Sequence, residues 1–175
     1  KDAIDLGIGM IHQHFKLVDV HSAADNIIMG NKSEGIILKK KRYQKIAEIS
    51  EKYGLNVDPR KKVYDMSVSE KQTVEILKML YREAKILILD EPTAVLTPQE
   101  SRNLFNILRK MRDNGCTVII ITHKLNEVLE ISDNVAILRK GKSVATVKTG
   151  ETDALKLTEL MVGKKVTLSI DRPKS

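Results

Sequence analysis

Two adjacent carboxylates, Asp90 and Glu91, close the stretch Ile86-Leu-Ile-Leu-Asp-Glu-Pro92. A carboxylate is a hard oxygen ligand suited to magnesium, and a second one beside it can take or orient a proton of water. The unbroken apolar run before them is the pattern of a strand buried on both faces. The carboxyl ends of such strands are where open α/β sheets hold ligands. Taken alone, these residues would serve equally as a core strand ending in a solvated acidic turn. Their surroundings argue for more. A second apolar run, Thr117-Val-Ile-Ile-Ile-Thr122, leads into His123. If the two runs are parallel neighbours, both buried, the imidazole lies beside the carboxylate pair. Upstream, Met66-Ser67-Val68-Ser69-Glu70-Lys71-Gln72 opens a helical pattern that carries Val74, Leu77, Met79 and Leu80. Ser67, with Glu70 three residues on, has the form of a capping box.

In this order and spacing, and over nearly the whole chain, these stretches resemble the ATP-binding subunit of an ABC transporter. The resemblance implies an α/β fold: part of a P-loop NTPase (RecA-like) core with an inserted helical subdomain. It implies ATP and Mg2+ as cofactors. In it, Asp90 matches the Walker B aspartate that binds the metal, Glu91 the catalytic glutamate and His123 the switch histidine. Gln13, in Ile11-His-Gln-His-Phe15, matches the Q-loop glutamine that reaches metal or water. Ser67, Val68, Ser69 and Glu70 match the signature loop, which faces ATP held by a second domain, and Ala94-Val-Leu-Thr97 stands where the D-loop belongs. The signature departs from Leu-Ser-Gly-Gly-Gln, with Val68 and Ser69 for the glycines and Glu70 for the glutamine. Val68 and Glu70 match variants of sugar and nucleoside importers. At Ser69 a side chain restricts the backbone approach to phosphate, so a working but weakened half-site is expected.

Three stretches refine the resemblance: Gly7 to Phe15, Glu91 to Glu100, and Leu160-Met-Val-Gly-Lys164. They look like the first half of the duplicated ATPase of a bacterial simple-sugar or nucleoside importer. That implies membrane permease subunits as partners, a second nucleotide-binding domain in the same full-length chain, a solute-binding protein indirectly, and a peripheral place on the cytoplasmic face of the membrane. The alternatives are an ABC-type ATPase without a transport role and a catalytically inactive docking module. No residue names the solute.

The glycine-rich phosphate cradle of such enzymes should precede Gln13, and only a short segment does. A relaxed search finds Ala136-Ile-Leu-Arg-Lys-Gly-Lys-Ser143. A cradle must run from a strand into a helix, whose first amides face the phosphates. Here Val135 to Leu138 reads as a strand, Arg139 to Lys142 as a tight turn, and Ser143 to Val147 as a returning strand. The stretch is a hairpin. The expectation is therefore a C-terminal piece of a nucleotide-binding domain, inactive by itself.

Composition bounds the rest. The chain has 175 residues, room for one domain with a sizeable core. No apolar run approaches the roughly 20 residues that span a bilayer, and no signal peptide is visible. Cys116 is the single cysteine, which excludes an internal disulfide and fits a small core residue. The net charge of +7 is spread out apart from Lys39-Lys-Lys-Arg42. Without a nucleic-acid module or aromatic platforms, that run reads as a solvated helix face and no nucleic-acid partner is expected.

The positioning elements follow from periodicity and caps. A strand is expected from Asp5 to Gln13, and helices over 20–30, 38–53, 68–83, 97–114, 125–131 and 152–162. Gly54, Gly115 and Gly163 should stop three of them. Thr97-Pro-Gln-Glu100 is a helix start with its cap, its proline at the first position and its box glutamate. The expected division is a core strand and Q-loop over 1–13, a helical subdomain over 14–84, the core remainder over 85–163, and a polar tail or linker over 164–175.

Overall fold

The computed structural model describes residues 2–30 and 39–164. It forms two compact units, Lys1–Ile121 and Thr122–Ser175. The first is built on a three-stranded parallel sheet in the order β1-β2-β3, with β1 at Ile8–Ile11, β2 at Ile86–Asp90 and β3 at Thr117–Ile121. Register sets Ile11 opposite Leu89 and Asp90 opposite Ile121. All three strands therefore present their carboxyl ends on one side.

The helices of this unit are α1 (Asp2–Asp5), α2 (Ala23–Ile28), α3 (Lys39–Tyr53), α4 (Val68–Tyr81) and α5 (Pro98–Asp113). α4 packs on β1 and on α2 and α3, and α5 packs on β3. Val74, Ile76 and Leu77 of α4, Leu87 and Leu89 of β2, and Phe105, Leu108 and Met111 of α5 are fully buried. The approach of α4 to β1 depends on Gly9, where an added Cβ would come 2.5 Å from Met79 Sδ.

Three capping boxes set helix starts. Ser22 pairs with Asp25 ahead of α2, Ser67 with Glu70 ahead of α4, and Thr97 with Glu100 ahead of α5. The last two are those expected from sequence, and Gly54 and Gly115 follow their helices with φ of +71° and +88°. The strand expected from Asp5 is shorter and is preceded by α1. Leu6 N–H donates to Asp2 O and Gly7 takes φ +76°, so a helical turn and a left-handed residue occupy the first three expected strand positions. Between α3 and α4 a 3₁₀ turn forms at Val63–Asp65. Burial of the second apolar run also differs from expectation. Ile119 and Ile121 are 46% and 48% exposed, because β3 is an edge of the sheet among the described residues.

The second unit holds α6 (Leu125–Ile131), the antiparallel pair β4 (Asn134–Arg139) and β5 (Lys142–Lys148), and α7 (Ala154–Val162). The two-residue turn Lys140-Gly141 has φ of +49° and +74°, the geometry that closes a hairpin. A hairpin is thus present where the relaxed cradle pattern falls. α7 packs on β4 and α6, is capped by Asp153, and ends at Gly163 in the left-handed conformation. The tail expected over 164–175 lies outside the described residues except for Lys164.

Candidate functional site

Asp90 ends β2, and Glu91 begins the turn that leaves it. Both are half-buried. Glu91 has φ +47°, a left-handed backbone that residues other than glycine, asparagine and aspartate seldom adopt. Its amide donates to Ile121 O at 2.9 Å, its carbonyl accepts from Ala94 N–H at 3.2 Å, and Leu96 N–H donates to Thr93 O at 3.3 Å. A strained residue held from both sides is the kind of feature that clusters at functional sites. Gln13 is exposed two residues beyond β1, at the carboxyl end of the strand paired with β2. The sheet thus gathers Gln13, Asp90 and Glu91 at one end. His123 is exposed two residues past β3 and lies in the second unit.

The segment after Gln13 is tied down. Lys16 N–H donates to Glu75 Oε1 at 2.8 Å, and Val18 N–H donates to Asn26 Oδ1 at 2.7 Å. Asn26 Nδ2 returns a bond to Val18 O at 3.1 Å, and Lys78 Nζ donates to Lys16 O at 3.3 Å. Asn26 and Glu75 are nearly inaccessible. Sequence reasoning missed both. For Glu75 the signal was there: with Gln72 it falls on the same helical stripe as Ile76 and Met79, polar groups on the face that α4 turns to the core.

Ser67, Val68, Ser69 and Glu70 form the cap and first turn of α4. Ser67 Oγ accepts from Glu70 N–H at 3.2 Å. The Glu70 carboxylate accepts from Ser67 N–H at 2.8 Å and from Lys61 Nζ at 2.7 and 2.9 Å. The bond from Lys61, aided by that from the Ser67 amide, lowers the Glu70 pKa. Glu70 is therefore committed to the helix start. Val68 is exposed, and Ser69 is half-buried. Glu100, whose pKa is lowered chiefly by the Thr97 amide, caps α5. Gln72 adds a buried bond from Nε2 to Pro92 O at 2.8 Å.

The donor set matches magnesium in one respect. Among the described residues there is no cluster of three or more His, Cys, Asp or Glu able to cage a metal. Magnesium is ordinarily held by one or two carboxylates together with phosphate oxygens and water, which asks only for a group placed like Asp90. Cys116, whose thiol burial pushes up in pKa, is ill suited to nucleophilic work.

A three-stranded parallel sheet with two carboxylates at the carboxyl end of its middle strand, and a helix bonded to the turn that follows, defines a protein of the α/β class. The chain belongs to the ABC transporter family, whose sequence profile matches residues 2–94. It is 48% identical over 172 residues to the nucleoside import ATP-binding protein NupA of Lactococcus lactis subsp. cremoris, covering 97% of this chain and 34% of that protein. It is also 48% identical over 172 residues to the guanosine import ATP-binding protein NupO of Bacillus subtilis, with the same coverage of each. The chain thus spans about a third of the length of these relatives. Among solved structures, cbiO1 of Clostridium perfringens, part of the ABC transporter complex cbiONQ, superposes with a TM-score of 0.73 at 26% identity, over 90% of this chain and 63% of that one.

Proposed function

We propose that this chain is part of the nucleotide-binding domain of an ABC importer, which couples ATP binding and hydrolysis to uptake of a solute. The 48% identity to nucleoside and guanosine import proteins, against 38% for a glucose import protein, favours a nucleoside. The observation that carries the reading is the held, left-handed Glu91 directly after Asp90 at the ligand end of β2.

Magnesium, when bound with ATP, would neutralise charge on the β- and γ-phosphates. Asp90 is the residue that would hold it, with the Gln13 amide as a further oxygen donor. Glu91 would orient the attacking water and accept its proton. His123 would donate to a phosphate oxygen from the loop after β3. At the start of α4, the amides of Val68 and Ser69 carry the partial positive charge of a helix terminus and would face ATP held by a second nucleotide-binding domain. The helical layer over 14–84, above all the anchored segment from Lys16 to Val18, would receive a permease subunit, which sets the protein at the inner face of the membrane.

The test is Glu91→Gln in the complete protein that carries this chain. Removing the base while keeping its shape should lower turnover about 100-fold or more and leave ATP binding in place. Turnover near that of the parent would overturn the assignment. Uptake of labelled guanosine into cells with and without the protein, beside labelled galactose, then tests the solute class.

A further inference from the structure

One buried bond joins the two halves of the proposed chemistry. Gln72 is 4% exposed, sits one turn inside α4, and donates from Nε2 to Pro92 O at 2.8 Å. Pro92 is buried and has no N–H, so its carbonyl is the only polar backbone group it offers. That carbonyl belongs to the residue directly after Glu91. On the other side, the Glu91 amide is held by Ile121 O at 2.9 Å. The left-handed backbone of Glu91 is therefore clamped between the end of β3 and the side chain of Gln72. Thr93, the next residue, is 1% exposed, so the turn has little room to settle elsewhere.

We propose that Gln72 is a positioning residue that fixes the Glu91 backbone from α4, so that the placement of the α4 start and that of the catalytic carboxylate are set together. This rests on the assignment of Glu91 to catalysis. Gln72 acts through the Pro92 carbonyl. A small displacement of a reacting group costs on the order of 100-fold in rate with little effect on binding. The expected signature of losing the bond is therefore in kcat, with KM for ATP kept.

The experiment uses the complete protein. Parent turnover and its loss in Glu91→Gln are measured first; absent parent turnover would sink the functional reading and this proposal with it. Gln72→Met keeps length and apolar packing but cannot donate. It should lower kcat about 10- to 100-fold with KM for ATP within about twofold. Gln72→Glu supplies a test specific to the bond. An ionised carboxylate has no proton to give Pro92 O and is disfavoured in a buried site, whereas the protonated acid donates. The ratio of variant to parent kcat should climb several-fold between roughly pH 8 and pH 6. If Gln72→Met lowers thermal stability but keeps kcat within twofold of the parent, or raises KM alone, Gln72 is only a packing residue and the proposal fails. If Gln72→Met does not fold, the Gln72→Glu ratio decides, and a flat ratio across that range overturns the proposal.

Discussion

Ser69 shows how one position carries two opposed physical effects. A residue with a Cβ at the second signature glycine limits how closely the backbone meets a phosphate, yet a serine hydroxyl there can itself donate a hydrogen bond to that phosphate. The two can be separated. Ser69→Ala removes the hydroxyl and keeps the Cβ; Ser69→Gly removes both. If backbone approach dominates, Ser69→Gly should tighten ATP-driven closure of the complete protein by about 1 kcal/mol, and Ser69→Ala should not. The half-maximal ATP concentration for closure, compared across the three proteins, measures this. Equal weakening in both variants would make the Ser69 hydroxyl the controlling group. The sequence exposed the departure at Ser69 because a glycine pattern was broken.

At the scale of elements, helix starts were legible because a capping box is local: cap and partner are three residues apart, and their chemistry is written in adjacent letters. Ser67 with Glu70 and Thr97 with Glu100 form as their spacing requires. Strand limits were less legible. Nothing in Asp5-Leu-Gly shows that a turn of α1 and a left-handed glycine precede Ile8. The exposure of β3 was not legible either, because an apolar run records what a strand can bury and not how many neighbours it has in this chain. Glu70 gives a pH test of the α4 start. Lys61 and the Ser67 amide lower its folded pKa, so the stabilisation is present above the unfolded value near 4.3 and is lost as pH falls through the lower folded value. Glu70→Gln should melt below the parent at neutral pH, and the gap should close progressively under about pH 4. A gap unchanged by acid would mean that the carboxylate's charge does not support the helix. Glu75 gives a second test. Glu75→Ala leaves the Lys16 amide without its acceptor and should cost about 1–3 kcal/mol. Hydrogen exchange at Lys16 and Val18 should quicken, while the amides of β2 stay protected.

At the scale of the whole molecule, no described helix is long and apolar enough to cross a membrane, and the permease contact proposed above needs a surface on the helices and loops that are described. The surface best prepared for one lies next to the anchored segment after Gln13. Val18 and Val20 are 38% and 67% exposed, and Tyr64, whose amide donates to Asp19 O, is 60% exposed. These apolar groups remain in solvent although Asn26 and Glu75 spend buried polar contacts to fix the backbone beneath them. Holding an apolar loop rigid for solvent has no evident benefit to the fold; holding it for a permease segment does, because a preorganised surface loses less entropy on docking. The same segment leaves Gln13 at the ligand end of β1, so a permease pressing on it would bear on the nucleotide side of the sheet. Val20→Asp puts a charge on that surface and disturbs no buried group. In the complete transporter it should keep ATP binding near the parent value and cut solute uptake at least tenfold, since a charge buried at an apolar interface is strongly disfavoured. Cysteines placed at position 20 and along the permease's cytoplasmic loops should cross-link in the parent background and lose that cross-link when Val18→Asp is added. Full uptake by Val20→Asp, with folding and ATP binding intact, would move the permease contact to another face.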